Sequence, residues 1–183
     1  MSRRVSVSFP TSADVLPVFY NRHPSASRGS YSNPPVIPGG LYPPTSGSDA
    51  SVLWPFGHGL SYSANFTYGN VSLSPAVVGA GGTVQVEFAV TNTGTRDAEE
   101  VVQVYVRQKV ASVTTPVKQL RAFRRIPIAA GKTASVVFDL VVREALWLID
   151  AGYNRVVEPG NFTIMVGGSS DAIQHTAELV VAE

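Results

Sequence analysis

The sequence predicts an all-β fold, a sandwich of about seven strands preceded by an irregular N-terminal segment. Three observations predict it. Short runs of alternating apolar and polar residues recur through residues 61–183, turn sequences separate the runs, and no apolar repeat has a helical period. Apolar residues make up 44% of the 183 residues, enough to fill a core, whereas 13 Pro and 16 Gly disfavour long helices.

Residues 1–60 differ in composition from the rest, because nine of the 13 Pro lie here. Pro fixes φ and removes an amide donor, so we predict a Pro/Ser/Gly-rich segment without long helices or strands. The alternation of Val5, Val7 and Phe9 predicts one short strand that ends at Pro10. We expect the segment to be poorly ordered in isolation, because the sheet that would bury this apolar face is not in the chain.

Residues 61–183 contain the predicted strands of the sandwich. A first strand is expected near 66–73 and another near 117–125, and one helical turn within 143–148. The other strands are alternating runs that each place apolar side chains on one face: residues 84–90, 102–106, 136–140, 162–166 and 177–181. Seven short strands in about 120 residues are typical of an immunoglobulin-like or fibronectin type III-like sandwich.

Turn sequences mark the ends of these strands, among them Asn92-Thr-Gly-Thr and Glu158-Pro-Gly-Asn. The glycine-rich run 79–82 lacks the Lys of a phosphate-binding loop and joins two predicted strands. We therefore interpret it as a turn.

Residues with the chemistry of hydrolysis or metal binding are few. His23, His58 and His175 are scattered, no G-x-S-x-G motif is present, and there is no Cys. We expect structural or surface roles for the three His, and neither a metal nor a cofactor. Asp97, Glu99 and Glu100 are adjacent at the start of a strand, whereas a glycosidase pair faces across a cleft about 5–10 Å wide. We expect these acids to be solvated.

The charge pattern gives no sign of nucleic-acid or membrane partners. The formal net charge is +1, and the apolar run 145–149 is too short to cross a bilayer. Strand alternation divides the basic cluster of Lys118, Arg121, Arg124 and Arg125 between two faces. We interpret the cluster as a solvated edge that blocks the addition of another strand.

Two groups of aromatic residues stand out. Trp54, Phe56 and Tyr62 surround Pro55 and two glycines, and Trp147 and Tyr153 flank another turn. Such rings are more often core or interface anchors than sugar-binding platforms.

The sequence Trp54-Pro-Phe-Gly-His-Gly-Leu-Ser-Tyr62 resembles the P-F-G-x-G-L-S-Y signature of family 3 glycoside hydrolases, the β-glucosidases, β-xylosidases and their relatives. Further motifs resemble that family in the same order and spacing. They are Val5–Pro10, Leu16–Asn21, Val90–Gly94, Glu99–Val106, Pro116–Phe123, Ala130-Gly131, Glu158–Phe162 and Val166–Ser170. The resemblance covers nearly the whole chain, although residues 34–51 are an insertion where many members have a shorter link.

The resemblance implies that residues 1–60 are the tail of an α/β sandwich domain with a linker, and residues 61–183 a fibronectin type III-like domain. The family's nucleophilic Asp and its acid/base would both precede residue 1, so no catalytic residue is carried over. We expect a non-catalytic structural module, inactive alone, whose partners are the catalytic domains of a β-glucosidase or β-xylosidase. Trp54, Phe56 and Tyr62 would be the interdomain anchor.

The resemblance implies secretion for the parent protein. No apolar stretch follows Arg3-Arg4, so we expect no signal peptide in this chain. Asn65, Asn70 and Asn161 begin N-glycosylation sequons, and in a secreting eukaryote Asn65 and Asn70 are the better candidates.

Two other functions stay open at this point. A carbohydrate- or cell-wall-binding module that holds polysaccharide would require an exposed planar row of aromatic rings. A complete hydrolase would require a pair of facing carboxylates.

Overall fold

The computed structural model describes residues 4–11, 19–23, 52–60 and 64–183. Its elements, in chain order, are β1 (Phe9–Pro10), β2 (Val52–Trp54), β3 (Phe66–Tyr68), β4 (Ser72–Ser74), β5 (Val77–Gly79), β6 (Thr83–Asn92), β7 (Ala98–Gln108), β8 (Gln119–Ile128), β9 (Thr133–Val141), α1 (Val142–Ala145), β10 (Leu148–Ile149), β11 (Arg155–Val156), β12 (Gly160–Gly167) and β13 (Ile173–Ala182).

The first sheet of the sandwich is built on β6. Strands β3 and β4 pair antiparallel with one side of β6, and β9 pairs with its other side. The alternating apolar residues of β6 and β9 point into the core, as the period of two predicts. The most deeply buried of them are Val84, Val86, Val90 and Val136.

The second sheet has the strand order β5-β13-β12-β7-β8. Its core face carries apolar side chains from three neighbouring strands, with Val102, Val104, Ile164, Val166 and Leu179 fully buried. Burying these two apolar faces against each other removes both from water and is the main driving force of the fold.

One edge of the sandwich is formed by a strand in three pieces. β3 and β4 pair with β6 in the first sheet, whereas β5 pairs in parallel with β13 in the second. Counted as one strand that changes sheets, these pieces join β6, β7, β8, β9, β12 and β13 to give the seven predicted strands. The all-β fibronectin type III-like sandwich is confirmed.

The local predictions inside residues 64–183 agree with the structure. Residues 79–82 form a turn in which the Gly82 N–H donates to the Gly79 carbonyl oxygen at 2.9 Å. α1 is a single helical turn, and β8 is an edge strand. Within the described part of the chain, no helix is long and apolar enough to span a membrane.

The N-terminal segment departs from its prediction. β1 consists of Phe9 and Pro10 alone, so the strand expected over residues 5–9 is wrong in extent. β1 pairs with β2, with Phe9 opposite Trp54. The chain therefore contains a partner strand for this segment, contrary to the expectation that none is present.

The described parts of residues 1–60 also pack against the second sheet. Tyr105 is fully buried and Gln103 is 2% exposed, although both lie on the face of β7 that points away from the core. The residues that cover this face come from the N-terminal segment. The expectation that this segment has nothing in the chain to pack against is thus wrong for 4–11, 19–23 and 52–60.

Candidate functional site

The turn of residues 55–59 forms the centre of a junction between the N-terminal segment and the sandwich. The His58 N–H donates to the Pro55 carbonyl oxygen at 3.0 Å, which closes the turn. The Val5 N–H donates to the His58 carbonyl oxygen at 2.9 Å, and the Gly57 N–H donates to the Val5 carbonyl oxygen at 2.8 Å. Two stretches that are fifty residues apart in the chain are joined in this way. We call this turn, with its contacts on β7 and on residues 167–170, the junction.

Gly57 is required where the turn meets β7. Its φ is +78°, a left-handed conformation that favours glycine. A Cβ placed on Gly57 would lie 2.3 Å from Oε1 of Gln103 and 2.8 Å from Nε2. The Gln103 amide donates to the carbonyl oxygens of Gly57 at 3.3 Å and of Gly168 at 2.6 Å, and accepts from the Tyr105 hydroxyl at 2.5 Å. The absence of a side chain at Gly57 lets a buried amide bridge the turn and the loop after β12.

The loop after β12 completes the junction. The Ser170 N–H donates to the Phe56 carbonyl oxygen at 2.9 Å, and Lys118 Nζ donates to the Ser170 carbonyl oxygen. Two of the motifs that resemble the family, the one that begins at Trp54 and Val166–Ser170, thus contribute to one contact. Their spacing in the chain gave no sign that they touch.

Aromatic rings fill the space beside the turn. The Tyr20 ring stacks on Phe56, with centroids 4.2 Å apart, and meets the buried Tyr105 ring edge to face at 5.8 Å. The Tyr20 hydroxyl accepts the Leu120 N–H at 3.2 Å. Since β8 is an edge strand, this contact also covers part of its free edge.

A buried ion pair closes the end of the sandwich next to the turn. Arg4 donates to Oε2 of Glu100 and, at 2.9 Å, to the Gly59 carbonyl oxygen. The Tyr68 hydroxyl donates to Oε1 of Glu100 at 2.8 Å. Tyr68 belongs to the first sheet and Glu100 to the second, so one carboxylate connects both sheets and the N-terminal segment.

Burial is the main cause of the pKa shifts in this cluster. Loss of solvation raises the pKa of Glu100 above its ordinary value, although the charge of Arg4 and the Tyr68 hydrogen bond lower it in part. Burial and the neighbouring carboxylate raise the pKa of Tyr68. The expectation that Glu100 is solvated is wrong, because the residue is 3% exposed.

The other acids of the 97–100 group have separate partners. Asp97 accepts the Ala130 N–H at 2.9 Å, and Glu99 lies 3.8 Å from Arg125. The three carboxylates therefore contact three different parts of the structure and do not face one another across a cleft. In the described ranges, His, Asp and Glu form no group of three or more that could hold a metal ion.

The predicted aromatic anchor is divided between two environments. Phe56 is half-buried in the junction, whereas Trp54 is 46% exposed and contacts the Phe9 ring at 5.4 Å. Tyr62 lies outside the described residues. Two guanidinium groups, those of Arg121 and Arg155, lie over the Trp147 ring, and Tyr153 is 90% exposed.

The basic cluster has no common surface. Arg124 lies 4.9 Å over the Phe138 ring, while Arg125 pairs with Glu99, Arg121 contacts Trp147, and Lys118 bonds to the 167–170 loop. The prediction that these cations form no single patch is confirmed. Lys118 and Arg121 are half-buried, so the interpretation of a solvated edge is wrong for these two residues.

The remaining candidates lie at the surface or have structural contacts. His175 Nε2 lies 2.8 Å from the Tyr68 carbonyl oxygen, His58 is half-buried in the turn, and His23 is exposed. Asn65, Asn70 and Asn161 are all exposed, and glycan attachment to them stays a prediction.

The chain is similar to fibronectin type III-like domains and to much longer glycosidases. A family model described as "Fibronectin type III-like domain" matches residues 100–170. A β-xylosidase of Formosa agariphila is 39% identical over 92% of this chain and 22% of its own length. A periplasmic β-glucosidase of Salmonella typhimurium is 32% identical over 94% of this chain and 22% of its own. The chain thus spans about a fifth of these curated relatives.

A solved structure is similar over nearly the whole chain. A β-glucosidase from Listeria innocua in complex with glucose superposes with a TM-score of 0.80 at 29% identity, and the match covers 98% of this chain and 24% of that chain. Because the coverage includes the N-terminal segment, the similarity extends beyond the fibronectin type III-like domain.

Replacing Gly57 tests the close approach of the turn to β7. We expect Gly57→Ala to lower the free energy of unfolding by about 2–5 kcal/mol, since left-handed strain is combined with overpacking against Gln103. Gly131→Ala is the matched control, because Gly131 has φ +68° with no atom within 4 Å of its Cβ position. That change should cost about 1–2 kcal/mol. Urea unfolding of the two variants measures the difference, and equal losses would contradict the packing argument.

The pH dependence of Glu100→Gln tests the buried carboxylate. A carboxyl whose pKa is raised by folding contributes stability below its ordinary pKa, and this contribution is lost as the pH rises through the raised value. The free energy of unfolding of the wild type, relative to Glu100→Gln, should therefore fall from about pH 4 to pH 7. Denaturant unfolding across this range measures it. Glu99→Gln, at a half-exposed neighbouring site, is the control for the loss of a carboxylate at this end of the strand. A rising difference for Glu100→Gln would show that the Arg4 charge outweighs burial.

Proposed function

We propose that this chain is a non-catalytic structural module, because it corresponds to the C-terminal part of family 3 glycoside hydrolases with its fibronectin type III-like domain. Its role is to hold a sandwich against the catalytic domains of a larger glycosidase. The observation that carries this proposal is the junction, in which polar contacts fix the N-terminal segment on the sandwich. The acids at its edge have structural partners.

We assign residues 1–60 to the tail of an α/β sandwich domain and its linker, and residues 61–183 to the fibronectin type III-like domain. The start of β3 at Phe66 supports this division. In this assignment the 55–59 turn belongs to the preceding domain, and its contacts with Gln103 and Ser170 form an interdomain contact within the chain.

The outer side of the N-terminal segment is suited to meet the rest of the parent protein. Several large apolar side chains are exposed there: Val7 55%, Phe9 39%, Phe19 45%, Leu53 54% and Trp54 46%. Phe56 anchors the segment to the sandwich, and Trp54 with Phe9 provides an apolar contact for the catalytic domains.

The activity that we propose for the parent protein is inferred from the similar glycosidases. We propose hydrolysis of β-linked glucosides or xylosides by domains that this chain does not include, in a protein exported from the cytoplasm. The similarity to a β-xylosidase and to a periplasmic β-glucosidase supports both parts.

The isolated chain should be inert toward glycosides. Family 3 hydrolysis requires a nucleophilic carboxylate and an acid in one cleft, and Asp97, Glu99 and Glu100 are held apart by separate partners. Turnover of aryl β-glucosides and β-xylosides by the purified chain measures this. Activity above background that disappears when Glu99 or Glu100 is mutated would overturn the structural role.

Trp54→Ala tests the docking contact in a larger protein. We would exchange this chain for the matching C-terminal part of the Formosa agariphila β-xylosidase and compare the variant in the chimera and in the isolated chain. If docking buries the ring fully, Trp54→Ala should lower the free energy of unfolding of the chimera by about 3–5 kcal/mol and leave its KM unchanged. The loss in the isolated chain should be smaller, because the ring is already 46% exposed.

Tyr153→Ala is the matched aromatic control, since Tyr153 is 90% exposed. It should leave the melting temperature of both proteins nearly unchanged. Equal effects of Trp54→Ala in chimera and chain would contradict docking. Weaker polysaccharide binding with intact stability would instead favour the second candidate function, a carbohydrate-binding module.

A further inference from the structure

A cleft of about 240 Å³ opens between the loop that follows β7 and the turn that follows α1. Its floor is the edge of the core, where Val106, Leu146 and Phe162 are buried. The cleft is smaller than the roughly 300–1,000 Å³ of pockets for drug-sized ligands. It therefore suits a ligand with one small ring.

Two buried donors in the lining of this cleft have no acceptor. Gln108 is 7% exposed, and its Nε2 has no hydrogen-bond partner among the described residues. The Nε atom of Arg121 is also buried without a partner there. Arg121 uses Nη2 to donate to Gln119 and, at 3.4 Å, to the Trp147 carbonyl oxygen. Buried polar groups nearly always have partners, so these two groups call for an acceptor bound in the cleft.

Two positive charges lie over Trp147, which lines the cleft, and no described carboxylate pairs with either of them. The guanidinium groups of Arg121 and Arg155 lie 5.1 and 4.7 Å from the centre of the Trp147 ring. Neither forms an ion pair with any residue that the structure describes. Burial lowers the pKa of Arg121, the neighbouring Tyr20 raises it in part, and the charge of Arg155 lowers it again. An anion bound here would favour the charged form of Arg121 and so offset the two lowering effects.

We propose that this cleft binds the carboxylate of a small ligand, with Arg121 as the principal contact and Gln108 as a second donor. A guanidinium offers paired donors that match the two oxygens of a carboxylate. The apolar floor accepts a ring face. The carboxylate can belong to a sugar acid or to a simple organic acid, and the two sources are compared below. The proposal is independent of the docking role.

Trp147 fluorescence provides the measurement. The sequence has 2 Trp, so Trp54→Phe leaves Trp147 as the single reporter. The full chain with this substitution is titrated with D-glucuronate, acetate and D-glucose at constant ionic strength. We expect saturable changes with glucuronate and none with glucose. Tighter binding of glucuronate than of acetate identifies a sugar acid, and equal binding identifies a simple carboxylate.

Arg121→Met should weaken glucuronate binding by about tenfold or more, since a charged hydrogen bond is lost. Arg125→Met removes the same charge from the same strand but not from the cleft lining, and should change the affinity less than about twofold. Gln108→Leu removes a buried donor with little change in volume and should also weaken binding, which tests the site if Arg121→Met does not fold. The proposal is overturned by the absence of saturation with both carboxylates, by equal binding of glucose, or by full affinity in both cleft variants.

Discussion

The compensation of a buried carboxylate is the constraint on which this structure depends. Glu100 lies at the end of the sandwich where almost no water reaches it, so its charge requires a cation and hydrogen-bond donors nearby. The first sheet supplies Tyr68 and the N-terminal segment supplies Arg4. Such a pair adds little net stability at neutral pH, since burial raises the pKa of Glu100. Loss of Arg4 alone would leave the charge unpaired, so the pair specifies where residue 4 must lie.

The turn of residues 55–59 acts together with this pair. Gly57 allows the backbone to approach Gln103, and the Gln103 amide binds the loop after β12. The result is that β7 is buried on both faces, by the core on one side and by the N-terminal segment on the other.

The sequence predicts the sandwich well because the alternation that marks each strand is a local pattern. β6 and β9 each have one buried face, and their period of two is plain. β7 is harder to predict, since Gln103 and Tyr105 are polar yet buried by residues more than forty positions away. Arg4 and Glu100 carried no local signal of their pairing, and Glu100 had the pattern of a solvated turn acid. The family resemblance identified both halves of the junction but not their contact. The cleft near Trp147 is assembled from β7, β8, α1, β10, β12 and the loops between them, and could not be predicted from the sequence.

Hydrogen exchange of the full chain tests most directly whether the N-terminal segment and the sandwich form one folded unit. The informative amides are that of Ser170, which donates from the sandwich to Phe56, and those of Val5 and Gly57, which join residues 4–11 to the turn. If the segment and the sandwich form one folded unit, these amides exchange only through global unfolding, as slowly as amides of the core strand β12. Fast exchange at these three amides, with β12 still protected, would show that the segment detaches from an intact sandwich and would contradict the account.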